Sequence, residues 1–342
     1  MIKASARIDG FPRTAHTLLA WLSSRQSVAA ESSGLVRLVR TLAYPTELIA
    51  TAFPDVSEGV PGVCPNDSAG VYQAALRPSL VKVPGANDKI HFNGANRLTG
   101  SYQGPISQAV TLVAVCHRTV AQGGVTRLII DSFNGLSDPS TRIAVAEYAG
   151  LGIIGISGNG YVNSNDVTTL GAGPTIIAWE MSPSPSLVVI GSDGTTNTYT
   201  VAGAPLNTAS TMGGICLGSG GAGNPTDYFE GDFWDAFVFG GASTTIAAGS
   251  DGQSLPQATI NLTSTSGFVV PEYYGLAGTV MINTTLGKQL VTYSGVNGNA
   301  LTGCAGGAGA MATGNAVWQG GEISTGLFAD LAVMLKAEHG IP

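Results

Sequence analysis

The sequence predicts a mostly β protein built as an antiparallel sandwich, and three observations carry that expectation. Glycine supplies 48 of the 342 residues, the residue that takes the positive-φ corners of tight turns without a steric cost. From about Ser79 onward, short β-branched and aromatic runs such as AVTLVAVCHRT, TIIAWEMS and SLVVIGSDG alternate with Gly, Asn and Asp, the pattern of strands separated by turns. Apolar residues make up 44% and charged residues 11% of a chain long enough to bury a sizeable core without disulfide staples.

Several function classes are excluded or disfavoured by composition. The net charge is −7 and the 15 basic residues are scattered, so the basic patch of a nucleic-acid binder is missing. Arg37 and Arg40 in LVRLVR read as a solvated edge. Cys64, Cys116, Cys216 and Cys304 are far apart with no C-x-x-C pair, which argues against zinc and for reduced thiols. Cys116 and Cys216 lie inside apolar runs, where cysteine acts as a small hydrophobe. No apolar run reaches the roughly 18 residues of a membrane span, and no signal-peptide pattern comes after Lys3 and Arg7. The expectation is a protein made in the cytoplasm, without membrane insertion.

Residues 1–62 differ from the rest of the chain. Leu18, Leu19 and Leu22, then Leu35, Leu38, Val39 and Leu42, have helical spacing, with Pro45 and Pro54 as breakers. Two short helices are expected, too small to fold alone. The segment then either packs on the next domain or docks on a partner, and Leu18, Leu22, Leu35, Leu38 and Leu42 are its anchoring residues.

Beyond this segment an ordered set of phrases carries a family resemblance. HFNGANRLTG (His91 to Gly100) is succeeded by the strand TLVAVCHRT, the hairpin VVIGSDGTTNTYTV, the glycine-bounded strand ICLGSGG, then FEGDFWDAFVF and a closing helical segment STGLFADLAVMLKAEHGIP. In this order, over residues 79–242 and 322–342, the chain resembles the laminin G-like (concanavalin A-like) jelly-roll modules of tailed-phage virions. The resemblance implies a sandwich over 63–242. The closing helix, 322–342, has Ser324 or Thr325 as N-cap, Leu327, Leu331 and Leu335 on one face, and Gly340 as its stop.

Residues 243–321 interrupt that pattern with a second Gly- and Thr-rich segment. ATINLTSTSGFVVPEYYGLAGTVMINTTLGKQLVTYSGVNGNALTG resembles the small β modules of phage virion proteins. Gln289 and Ala305 stand where that pattern carries Glu and Arg, so a charge pair is lost and an architectural role is expected.

No constellation in the sequence demands catalysis. EGDFWDAF invites comparison with glycoside hydrolases, where two carboxyl groups about 5–5.5 Å apart flank the sugar bond in retaining enzymes. By strict alternation Glu230 and Asp232 share a face, Trp234 is next on it, and Asp235 points away, so the acid/base partner is missing and the chain is expected not to be an enzyme. No G-x-S-x-G turn and no phosphate-binding glycine motif occurs; GSGGAG (Gly218 to Gly223) reads as loop. His91 and His117 read as packed or edge residues. His16 falls in the N-terminal segment and His339 at the closing helix's end.

Two binding expectations remain. The family can hold calcium at the sandwich rim, and Asn163, Asn165, Asp166, Asp193, Asn224 and Asp227 could supply oxygens, although calcium takes about six to eight of them; no metal-site residue is assigned, and these residues also suit turns. Carbohydrate binding would use an aromatic platform with amide and carboxylate partners: Tyr161, Asn163, Asn165, Asp166 and Asp193 are the candidates, while Trp179 and Trp234 read as core. The whole implies a phage virion structural protein of the minor tail or baseplate type, with other virion proteins and a host surface glycan as partners. Homo-oligomerisation is expected, a trimer among the forms open to it. A capsid decoration protein and a glycan hydrolase are the alternatives.

Overall fold

The computed structural model describes residues 18–23, 28–30, 36–39, 56–57, 79–81, 83, 87–94, 98–107, 110–120, 126–132, 143–148, 151–157, 160–164, 169–181, 185–200, 211–218, 228–240, 243–265, 268, 277–319 and 326–342. The fold is mostly β and antiparallel. In chain order the strands before the second segment are β1 (Leu18–Ser23), β2 (Val28–Ala30), β3 (Val36–Val39), β4 (Val56–Ser57), β5 (Ser79–Val81), β6 (Lys89–Asn93), β7 (Leu98–Ser107), β8 (Val110–Arg118) and β9 (Arg127–Ser132). They continue with β10 (Ile143–Tyr148), β11 (Gly152–Ser157), β12 (Gly160–Asn163), β13 (Thr175–Met181), β14 (Ser186–Ile190), β15 (Thr196–Thr200), β16 (Thr211–Leu217) and β17 (Glu230–Gly240), with the short helix α1 (Thr169–Ala172) before β13.

Two sheets face each other. Sheet I runs β15-β14-β13-β8-β17-β6-β5, with β1 also paired to β17, and sheet II runs β12-β11-β10-β9-β16-β7-β4-β3-β2. Leu112, Ala114 and Cys116 of β8, with Ile177 and Trp179 of β13, meet Ile143 and Val145 of β10 and Ile153 of β11 in the central core. Trp179 is wholly inside and its indole Nε1 donates to Ile156 O at 3.1 Å. Gly155 makes room for it: a Cβ there would lie 2.3 Å from the indole Cδ2.

Strands β8 and β13 are buried along almost their whole length because sheet I is covered on both faces. Helix α2 (Gly326–His339) lies on its outer face. Phe328, Leu331, Leu335 and, past the helix, Ile341 pack there against Val113, Val115, Ile176 and Val188. Burial of each such side chain contributes about 1.5–3 kcal/mol. Gly340 terminates the helix at φ 66°, and Ile341 N donates back to Lys336 O at 2.9 Å, the closing bond of a Schellman turn. The expected N-cap positions Ser324 and Thr325 lie outside the described residues, as do Asn224 and Asp227.

The N-terminal expectation of two helices is corrected. Leu18–Ser23 and Val36–Val39 are strands: Leu18 pairs with Phe239, Trp21 with Phe237 and Ser23 with Asp235, and Val39 pairs with Val28. A six-residue run such as LLAWLS is too short to hold a helix alone, and the free side of β17 offers it a ladder. Leu18 and Leu22 are therefore ladder residues of sheet I and Leu38 of sheet II; Leu35 and Leu42 fall outside the described residues.

The second segment has its own core. It comprises β18 (Ser243–Thr245), β19 (Ser254–Leu255), β20 (Thr259–Asn261), β21 (Gly278–Thr284), β22 (Gly287–Tyr293), β23 (Gly295–Asn297), β24 (Ala300–Thr302), β25 (Gly309–Ala310) and β26 (Ala316–Trp318). Ile246, Ile260, Val280, Ile282, Val291, Leu301 and Val317 cluster among themselves. Gln289 accepts from Ala308 N at 3.0 Å and donates to Leu286 O at 3.2 Å, so an amide bracing a loop stands where the family pattern has a charge. The module meets the sandwich through Lys288, whose Nζ lies 3.3 Å from both carboxylate oxygens of Glu180 on β13.

Candidate functional site

The site begins with an irregularity in β17. Asp232 pairs with His117 and Phe233 with Cys116, but the next partner, Val115, belongs to Asp235. Trp234 is the extra residue of a β-bulge, and a bulge re-aims the side chains beyond it. Phe233 and Ala236 point into the core between the sheets, whereas Trp234 and Phe237 join the cluster under α2. Asp235 reaches His339 of α2 at 2.9 Å. The expectation that Asp235 points away from Asp232 is thereby corrected, because it assumed unbroken alternation.

On this outer face the carboxylates and imidazoles gather at one end of sheet I. Asp232, buried, lies 2.5 Å from Lys89 Nζ, 3.0 Å from His91 Nδ1 and 3.9 Å from His117 Nδ1. Asp235 is fully buried, and the ring it meets, His339, packs at 5.8 Å on the Trp234 indole. Asn87 ties the helix end down by donating from Nδ2 to Glu338 O at 2.5 Å, and the same nitrogen stands 3.5 Å from His339 Nδ1. Between the sheet and the helix end opens a cleft of about 640 Å³ lined by Asn87, Lys89, Trp234, Glu338 and His339 among others. A concave site with one aromatic wall and several convergent polar groups suits a polar ligand.

A second charged group lies inside the sandwich at the same end. Arg118, closing β8, pairs across to Glu147 of sheet II, and Arg127 lies 3.7 Å from Glu230. Burial pushes the Glu147 carboxyl above its usual value, and the opposing pull of Arg118 and Arg127 does not cancel this. Glu230, on the same strand as Asp232, thus approaches Arg127 of the opposite sheet.

The residues named from sequence are distributed between the sheets. Tyr161 and Asn163 stand two positions apart on β12, at the edge of sheet II, opposite Ile156 and Ile154. Asn165 and Asp166 lie outside the described residues. Asp193 sits in the turn between β14 and β15 of sheet I, where its two carboxylate oxygens accept from Thr195 N and Thr195 Oγ1, each at 2.9 Å. The neighbouring Gly194 touches the chain end at Pro342. Of the oxygens considered for calcium, only those of Asp193 have a described side-chain environment. Trp234, expected in the core, is nearly buried yet also walls the cleft. Nothing in the sequence marks Asn87, Lys89 and Glu338, because about 250 residues separate Asn87 from Glu338 and His339; His339 in AEHG is the only hint.

The described cysteines Cys116, Cys216 and Cys304 are buried. Burial raises the Cys116 thiol far above its ordinary range and Cys304 to about 11. Among the described residues no helix is long and apolar enough to cross a membrane.

No family model and no curated protein matches the chain. Among solved structures it is similar to tailspike protein 2 of Escherichia coli O157:H7 bacteriophage CAB120, with 17% identity and a TM-score of 0.37 over 48% of this chain and 25% of the tailspike. The chain thus spans about a quarter of that tailspike's length. The separately solved enzymatically active domain of this tailspike gives 18% identity and a TM-score of 0.37, covering 48% of this chain and 28% of that one. Domain 4 of a GH43 extracellular arabinanase from Geobacillus stearothermophilus, in complex with arabinotriose, has 12% identity and a TM-score of 0.40 over 66% of this chain and 94% of the domain. Arcelin-5, a lectin-like defence protein from Phaseolus vulgaris, has 11% identity and a TM-score of 0.32 over 47% and 90%. The expectation of a chain that is not an enzyme is corrected: it rested on unbroken alternation, which the bulge at Trp234 removes, and the similar structures include an enzymatically active tailspike domain and a domain of an arabinanase.

Proposed function

We propose that the chain is a carbohydrate-binding component of a phage virion, of the minor tail or baseplate kind, whose sandwich offers the cleft at the end of sheet I to a host surface glycan. The observation that carries the ligand class is the cleft itself, in which the exposed part of Trp234 stands among the amide of Asn87, the ammonium of Lys89 and the carboxylate of Glu338. Sugars present an apolar ring face beside a rim of hydroxyls, and this set supplies an aromatic surface with both donors and acceptors. The virion setting rests on the ordered strand phrases and the inserted module. Several copies on one particle would multiply a weak single-site affinity.

A second reading, glycan hydrolysis at this end of sheet I, is favoured by one observation: Asp232 and Asp235 share the outer face of β17, buried directly behind the cleft residues Lys89 and His339. Glycan-array binding and a reducing-sugar assay on the purified chain separate the two. Binding without released sugar supports the first reading, and released sugar that is lost in Asp232→Asn supports the second. Failure of both assays, with tight binding to purified phage heads, would replace them with capsid decoration.

A further inference from the structure

We propose that Asp235, Glu338 and His339 form a binding site for one first-row divalent transition metal ion, of the zinc, cobalt or manganese kind, at the inner end of the cleft. The ligating atoms of these three side chains all lie within 4.8 Å of one another. The Asp235 and His339 atoms are 2.9 Å apart, the separation of two ligands at right angles on one metal with bonds of about 2.0–2.2 Å; a tetrahedral zinc would part them to about 3.3–3.6 Å.

The donor set selects the metal class. Two carboxylates and an imidazole suit zinc, manganese, cobalt or ferrous ion, whereas calcium and magnesium prefer oxygen-only shells. Three protein ligands leave room for a water or a ligand oxygen, the arrangement of reactive rather than purely structural zinc sites. The side chains of Asp235 and His339 are 0% and 1% exposed, so the remaining position lies in the buried space behind the cleft that Glu338 and His339 line.

The geometry is also held from outside. The bulge at Trp234 aims Asp235 at the helix, the Gly340 turn fixes the last helical residues, and Asn87 bonds the Glu338 carbonyl while standing beside the far nitrogen of the His339 ring. Partners of this kind orient a ligating imidazole. The neighbouring Asp232, His91 and His117 group is a poorer site, because Lys89 places an ammonium 2.5 Å from the Asp232 carboxylate, where a second cation is repelled. Nothing in this proposal depends on glycan binding.

The test is titration of the full chain, stripped with EDTA and dialysed, with cobalt(II) followed by visible absorption and with zinc by calorimetry, in the absence of sugar. One equivalent of each metal is expected to bind, zinc displacing cobalt, and the melting temperature should rise with free zinc. Glu338→Gln and His339→Gln should each weaken cobalt binding at least tenfold, while His91→Gln leaves it unchanged. Absence of saturable binding overturns the site, as does wild-type affinity in both Glu338→Gln and His339→Gln. Loss of binding in His91→Gln alone would also overturn it, moving the metal to the Asp232 group.

Discussion

Asp232 and Asp235 stand three positions apart on β17 yet share its outer face, because Trp234 bulges out of the ladder between them. That one extra residue organises this end of the sandwich. Asp232 collects Lys89 and His91, Asp235 collects His339, and the indole between them walls the cleft.

The module is locked to the sandwich by Lys288. Its ammonium meets Glu180, which is 1% exposed and also accepts from Ser186 Oγ, and it lies 5.8 Å from the Trp318 ring centroid. Lys288→Met keeps the stem but strands a buried carboxylate, a loss of about 2–3 kcal/mol. Urea unfolding should register it, and adding Glu180→Gln should recover part of it. A loss in the double variant equal to the sum of the two single-variant losses would mean the two residues are not coupled.

Gly155 and Gly252 separate two reasons for glycine. A methyl at Gly155 collides with the Trp179 indole, whereas Gly252 has φ 70° and open space around it. Gly155→Ala should cost about 1–3 kcal/mol through overpacking, accompanied by a change in tryptophan fluorescence. Gly252→Ala should cost about 1–2 kcal/mol through its backbone alone, with the fluorescence unchanged.

Helix α2 should be essential to stability. Leu335 is wholly buried against sheet I, so Leu335→Ala is expected to lose about 2–5 kcal/mol. A chain ending at Gly321 should melt at a clearly lower temperature; unchanged melting of both would mean that the helix is peripheral.

The Glu147 carboxyl gives a signed pH effect. Its folded pKa is raised above 4.5, first by burial, so its contribution to stability is fully present below the unfolded value and is lost as pH rises through the folded one. Relative to Glu147→Gln, the wild type should therefore lose stability as pH climbs from about 4.5. Chemical denaturation across pH would contradict this if the difference between the two proteins stayed flat.

How much of this is legible in the sequence depends on how local each signal is. TLVAVCHRT and TIIAWEM are continuous apolar runs that can serve only as doubly covered strands, and both are. LLAWLS has leucines at spacings compatible with a helix, and its pairing with β17 is a tertiary fact the run does not encode. The bulge is hidden because DFWDAF reads equally well as plain alternation; only the pairing of Asp235 with Val115 reveals the extra residue. The cleft is hidden because Asn87 and Glu338 meet only once the terminal helix has packed.

The most direct test is calorimetric titration, with a glycan identified on an array, of the wild type, Asn87→Ala, Trp234→Phe and Tyr161→Ala. Glycan affinity should fall about tenfold or more, ~1.4 kcal/mol, in Asn87→Ala and Trp234→Phe and stay unchanged in Tyr161→Ala. Unchanged affinity in the two cleft variants, with loss in Tyr161→Ala, would contradict the assignment of the cleft and move the ligand to β12.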